Sequence, residues 1–263
     1  ILIASAADID FVTFLAHMAP ISLVILACFV VLAWFLFKRD LSRAPVDGLD
    51  VQALDASQLI TDRKLLRKAL TVTAAVMLGF LLQGVTGLQP ATIAMVGATA
   101  LLLWGKCDPH LVLRDVEWTT LFFFLGLFIV VEGVVRVGLI ETAAHGALQV
   151  TGGNLPLTSI SLLWLSALFS GIVDNIPYTA TMIPLVRSLG QSMPVQTLWG
   201  CLALGACLGG NATLVGASAN VVVANLADRS GIPLGFGVFL RYGLITTLMS
   251  LVLSSLYIWL RYL

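Results

Sequence analysis

GACLGGNATLVGASANVVVAN, residues 205–225, decides how this chain must fold. Apolar sequence flanks it on both sides. Inside it sit four glycines (Gly205, Gly209, Gly210, Gly216), with Asn211, Thr213, Ser218 and Asn220. Glycine weakens a helix, and Asn, Ser and Thr compete for its backbone hydrogen bonds. The stretch therefore predicts a helix that breaks part-way through a bilayer. Broken backbone at that depth survives only where protein buries it or where it lines a watery cavity. Half-helix ends and freed carbonyls then make a place for an ion or a polar solute. The competing reading is a Gly/Ala/Ser packing face between two helices.

Composition places the whole chain in a membrane. Of its 263 residues, 59% are hydrophobic and only 11% charged, and the mean hydropathy is +1.01. Soluble domains average about 25% charged residues. The net charge is zero, which implies no bulk attraction to nucleic acid. The four cysteines (Cys28, Cys107, Cys201, Cys207) form no CxxC pair, so no disulfide framework or thiol metal site is expected. The chain starts Ile-Leu-Ile-Ala-Ser, with no basic n-region, and this is not a signal peptide.

Taken in order, the chain predicts an all-α, multi-span bundle. Residues 13–37 form a spanning helix, long enough to cross about 30 Å of hydrocarbon. Residues 38–68 are the only long polar segment and carry Lys38, Arg39, Arg43, Arg63, Lys64, Arg67 and Lys68. The positive-inside rule makes this loop cytoplasmic, with an amphipathic surface helix over 57–68. The remainder, 69–263, reads as one repeat. Its scaffold helices occupy 69–135, where spans 69–85 and 90–104 form a hairpin and 118–135 crosses outward. An interfacial helix follows at 138–150. Glu132 and Arg136 are spaced for an intrahelical pair. His17 reads as a packed or interfacial residue. Cys107, Asp108 and His110 lack a fourth ligand and read as loop.

A second interrupted segment lies upstream of the glycine stretch. Residues 157–189 hold two apolar arms around Asp174-Asn175-Ile176-Pro177-Tyr178-Thr179-Ala180-Thr181. Each arm is shorter than the roughly 20 residues a span needs, so the segment reads as a re-entrant hairpin. Pro177 suits the first turn of the second arm, where its missing N–H would have no partner anyway. Thr179 and Thr181 follow near that positive end. Asp174 is the only acid between Glu141 and Asp228. An intramembrane acid is a functional-site hypothesis by default. Its roles reduce to proton carrier, sodium ligand or partner for a cation, set against simple capping of the second arm. The broken helix then covers 194–229 and a final span covers 237–262, which puts the C-terminus outside.

Two matches suggest an internal repeat. Residues 1–5 resemble 221–225, and Phe11-x-x-Phe14-Leu15 matches Phe236-x-x-Phe239-Leu240. The helices that follow run in opposite directions, which is the signature of inverted-topology repeats. Residues 1–37 then read as the end of a first repeat with its following span, and 69–263 as the second. The missing part of the first repeat is expected in the same or a companion chain.

Three strings carry a family resemblance: VEWTTLFF (116–123), DNIPYTATMIP (174–184) and GACLGGNATLVGASANV (205–221). On them the chain resembles the ion transporter superfamily and its citrate-transporter-like domain. The likeness is greatest to the arsenite-permease-like branch with the P protein and sodium/proton antiporters. The resemblance implies two inverted repeats, each with a re-entrant hairpin and an unwound helix, meeting at a site carried by an elevator-like domain. It assigns Asp174, Asn175, Pro177 and Thr179 to the hairpin tip. It assigns Gly209, Gly210, Asn211, Thr213 and Asn220 to the unwound helix.

The expected function is therefore a secondary active transporter of an inorganic ion or small anion, with Na+ or H+ as the coupling ion and no other cofactor. Its candidate binding residues are Asp174, Asn175, Pro177, Thr179, Thr181, Gly209, Gly210, Asn211, Thr213, Ser218 and Asn220. A sodium-coupled dicarboxylate or citrate carrier is the alternative, although that branch carries Ser-Asn-Thr at its tips. An intramembrane enzyme is disfavoured, since Asp174 has no second acid for a dyad and no Ser–His pair is evident at depth. A non-transporting membrane fragment is the third reading. Expected surroundings are the lipid bilayer, a bacterial inner membrane, the ion itself, and room for a homodimer.

Overall fold

The computed structural model describes residues 2–41 and 62–263. The expected surface helix at 57–68 lies partly outside the described residues, since 57–61 fall among the others. Thirteen helices follow one another among the described residues, with no strand. They are α1 (Leu2–Ala6), α2 (Phe11–Leu41), α3 (Arg63–Leu81), α4 (Gln83–Thr86), α5 (Pro90–Gly105), α6 (Pro109–Arg114) and α7 (Trp118–Arg136). Then come α8 (Leu139–Thr151), α9 (Leu155–Ser170), α10 (Asn175–Leu189), α11 (Val195–Gly209), α12 (Ser218–Arg229) and α13 (Phe236–Tyr262). Three are long and apolar enough to cross a membrane: α2 over Phe11–Arg39, α7 and α13. The fold is an all-α membrane bundle.

The chain divides into two compact units. The first comprises residues 9–16 and 26–117. Its centre is the antiparallel pair α3 and α5. Glycines let these helices approach: Gly79 faces Ile93, Gly97 faces Val76, and Gly105 faces Leu65. α2 is started by Asp10, whose carboxylate accepts the N–H of Thr13 at 3.0 Å. Hydrogen bonds from Thr13 hold this carboxyl below the usual carboxylate range. Gln83 of α4 accepts the N–H of Phe11 at 3.2 Å, and the Phe11 and Phe80 rings lie 5.8 Å apart.

The second unit comprises residues 2–8, 17–25 and 118–263. Its core is the parallel pair α9 and α11, flanked by α10 and α13. Leu163, Val186, Leu198, Leu202 and Ile258 are fully buried there. Lipid tails are as apolar as Leu, so close packing and polar contacts must hold such helices together. Both are present. A methyl group on Gly205 would meet the Leu163 carbonyl, and one on Gly209 would meet the Ala167 backbone. Ser170 Oγ donates to the Ala206 carbonyl at 2.6 Å, joining the two helices at their far ends. Thr158 Oγ1 donates to Thr151 Oγ1 at 2.8 Å, which ties α8 to α9.

Further contacts complete this unit. His17 Nδ1 lies 2.6 Å from Tyr262 Oη, and Tyr257 Oη donates to the His17 carbonyl at 2.6 Å. His17 is thus a packed residue at the end of α13. Arg187 Nη2 donates to the Ala6 carbonyl at 2.8 Å, so the last turn of α10 holds the end of α1. On the exposed side of α7, Arg136 Nε and Glu132 Oε1 form the i,i+4 pair at 2.8 Å.

Candidate functional site

The site is built where two helices stop. α9 starts at Asn154, whose side chain accepts the N–H of Leu157, and Pro156 lies in its first turn. It runs 16 residues, roughly 24 Å at 1.5 Å per residue. That is shorter than the roughly 30 Å of hydrocarbon that a spanning helix crosses. Helix ends at Ser170, and residues 171–174 are irregular. Asp174 caps α10, with Oδ1 accepting the N–H of Ile176 at 3.0 Å. Pro177 is the third residue of α10, where no intrahelical N–H is needed.

The second interruption lies alongside. α11 ends at Gly209, residues 210–217 are irregular, and α12 starts at Ser218. The other carboxylate oxygen of Asp174, Oδ2, accepts the N–H of Ser218 at 3.0 Å. One half-buried acid therefore caps two helices at once. A second bond runs parallel to it, from Asn175 N–H to the Gly216 carbonyl at 3.2 Å. A third comes from Thr213, whose hydroxyl donates to the Gly171 carbonyl at 2.5 Å and accepts the Gly216 N–H at 3.0 Å. Both interrupted segments are thus stitched together at their breaks.

Asn220 holds the irregular loop in shape. Its Nδ2 donates to the carbonyls of Gly210 at 2.9 Å and Thr213 at 3.0 Å. Gly210 and Gly216 lie across from each other. A Cβ on Gly216 would fall 2.7 Å from the Gly210 oxygen, and one on Gly210 would fall 2.8 Å from the Gly216 oxygen. Gly243 of α13 backs the loop, since a Cβ there would meet the Asn211 and Ala212 oxygens at 2.6 Å. Thr247, also on α13, donates to the Leu208 carbonyl at 3.3 Å.

The candidate residues are not all brought together, and Pro177 stays in the first turn of α10. Asp174, Asn175, Gly210, Thr213, Ser218 and Asn220 meet at the junction. Gly209 stands just before it, packed on Ala167. Asn211 is exposed, and among the described residues its side chain makes no hydrogen bond. Thr179 and Thr181 are placed differently. Their hydroxyls donate to the Asn175 and Tyr178 carbonyls at 2.7 Å, and they sit roughly 6 and 9 Å along α10 from its start. Sequence reasoning did not single out Ser170, Gly171, Gly243 and Thr247. The signal for them is the spacing of small residues along α9 and α13, the usual mark of a membrane packing face.

Electrostatically, the junction collects two helix N-termini, each equivalent to roughly half a positive charge, around one carboxylate. The Asp174 side chain accepts from a backbone N–H at each of them. Among the described residues no group of three His, Cys, Asp or Glu side chains could hold a metal ion. Asp108, in the Cys107-Asp108-His110 stretch, caps α6 by accepting the N–H of His110 at 2.9 Å. The junction offers amides, carbonyls and one titratable oxygen pair. That chemistry suits reversible binding of a small polar solute.

The fold defines an integral membrane protein, and similarity to known proteins supports that class. Residues 1–205 match the citrate transporter family, and the chain belongs to that family. An uncharacterized transporter of Mycobacterium tuberculosis is 43% identical over 267 residues, covering 100% of this chain and 62% of the relative. A 46 kDa membrane protein of Mycobacterium leprae is 40% identical over the same shares. The P protein of Mus musculus is 39% identical over 236 residues, 84% of this chain and 28% of that protein. The chain thus spans about three fifths of the length of its mycobacterial relatives. The resemblance to the citrate-transporter-like domain and to the P protein is borne out.

Proposed function

We propose that the protein is a secondary active transporter of an inorganic ion or small anion, and that Asp174 couples transport to protons. The observation that carries this reading is the double cap: one carboxylate on the N–H groups of both Ile176 and Ser218. Ionised, Asp174 balances two positive helix ends. Protonated or swung aside, it releases two amides and two helix N-termini, which favour anions. Proton uptake and anion occupancy then become linked, and linkage is reciprocal. A cation such as Na+ would instead join the carboxylate and the neighbouring carbonyls.

The elevator-like character rests on packing. Gly205 and Gly209 bring α11 onto the α9 backbone, and Ser170 and Thr213 bond across the breaks. This arrangement favours movement of the hairpin and the broken helix as one body. A bacterial inner membrane, with 38–68 cytoplasmic and the C-terminus outside, is part of the same proposal.

A second reading is a sodium-coupled citrate carrier, whose substrate is the one the citrate transporter family is named for. The Asp-Asn-Ile-Pro sequence at the hairpin tip weighs against it. Uptake of arsenite, chloride, sodium and citrate by proteoliposomes of the intact protein, with and without a pH gradient, separates the two. Flux driven by the pH gradient supports the first reading. Citrate uptake that needs sodium and ignores pH supports the second.

A further inference from the structure

The α3–α5 hairpin places positive charge where helix physics disfavours it. Arg63, Lys64, Arg67 and Lys68 fill the first two turns of α3. Cations at a helix N-terminus add to its positive dipole and destabilise it. Asp62 accepts the N–H groups of Lys64 and Leu65 as the α3 cap, and its charge faces Lys64 and Lys68, which leaves Arg63 and Arg67 without a described acid beside them. Among the described residues, none of Arg63, Arg67 and Lys106 has an ion-pair partner.

Lys106 brings a further charge to the same end. Leu65 lies against Gly105, so the start of α3 adjoins the end of α5. Lys106 caps α5 with φ 53°, a left-handed conformation that glycine takes most easily. Lys68 donates to the Trp104 carbonyl at 2.7 Å, with its ammonium 5.9 Å from the Trp104 ring centre. Just beyond, Leu70, Leu103 and Trp104 are exposed at 60%, 76% and 51%. A charged band next to an apolar band matches the boundary between headgroups and acyl chains.

We propose that Arg63, Lys64, Arg67 and Lys106 bind the phosphate headgroup of an anionic phospholipid, whose acyl chains lie along Leu70 and Leu103. The lipid sets its negative charge beside these cations, so the site persists in the folded protein rather than acting only during insertion.

The test uses the full-length protein in nanodiscs of phosphatidylcholine doped with phosphatidylglycerol, with lipid retention read by native mass spectrometry. Phosphatidylglycerol is expected to be retained over phosphatidylcholine, and less so at high salt. The double substitution Lys64→Gln/Arg67→Gln should weaken that retention about 30-fold, at about five-fold per charge removed. The charge-preserving pair Lys64→Arg/Arg67→Lys should keep it. Circular dichroism confirms that both variants fold. Equal retention of the two lipids, an unchanged double variant, or displacement by inorganic phosphate at matched concentration would each overturn the proposal.

Discussion

The carboxylate of Asp174 accepts the backbone N–H of Ser218 at 3.0 Å, across 44 residues of sequence. Its other oxygen accepts the N–H of Ile176. Replacing Asp174 by Ala therefore removes two caps together. Each cap contributes typically about 1 kcal/mol, so Asp174→Ala should lower stability by about 2 kcal/mol. Thermal unfolding in detergent measures this. An unchanged midpoint would mean that the double cap holds nothing in place.

Asn220 is the brace of the unwound loop. Asn220→Ala leaves the Gly210 and Thr213 carbonyls without their Nδ2 donor. Losing such bonds at part-buried carbonyls costs about 1–3 kcal/mol. The loop should loosen, and hydrogen exchange at residues 210–217 should speed up. Asn220→Asp, which keeps the shape but removes the donor, should behave like Ala.

Asn211 differs in kind, because its side chain is exposed and makes no hydrogen bond among the described residues. Asn211→Ala should leave the unfolding midpoint unchanged and weaken ion or substrate affinity. Isothermal titration reads the affinity. Equal affinity would mean that Asn211 takes no part in binding.

Glycines divide into two classes by what surrounds them. A Cβ on Gly209 would collide with the Ala167 backbone, which has nowhere to move. Gly209→Val should therefore cost about 3 kcal/mol or more through overpacking and forced separation of α9 and α11. Gly133, inside α7, has nothing within 4 Å of where a Cβ would lie. Gly133→Ala should leave stability equal or higher, since Ala gains about 1 kcal/mol over Gly in a helix. Unfolding midpoints of the two variants make the comparison.

The breaks themselves were legible because they are local. Gly209, Gly210 and Gly216 weaken helix, and Asp174 before Asn175-Ile176-Pro177 is a cap in front of a first-turn proline. The bonds between breaks were not legible. No periodicity tells that Asp174 reaches Ser218, or that Thr213 reaches Gly171, because both depend on how α9 and α11 pack. That packing was written in small residues (Gly205, Gly209, Ser166, Ser170), which sequence alone reads equally as site or as interface. Thr179 and Thr181 carry the opposite lesson. Their hydroxyls looked available near a helix start, yet inside a helix such hydroxyls bond the preceding turn.

The most direct test of the coupling role is proton movement in proteoliposomes of the intact protein, comparing wild type with Asp174→Asn. Asn keeps the size of the side chain and one acceptor oxygen but cannot carry the charge. The account predicts that the variant folds and that substrate flux driven by a pH gradient disappears. Unchanged flux with unchanged dependence on the gradient would contradict it.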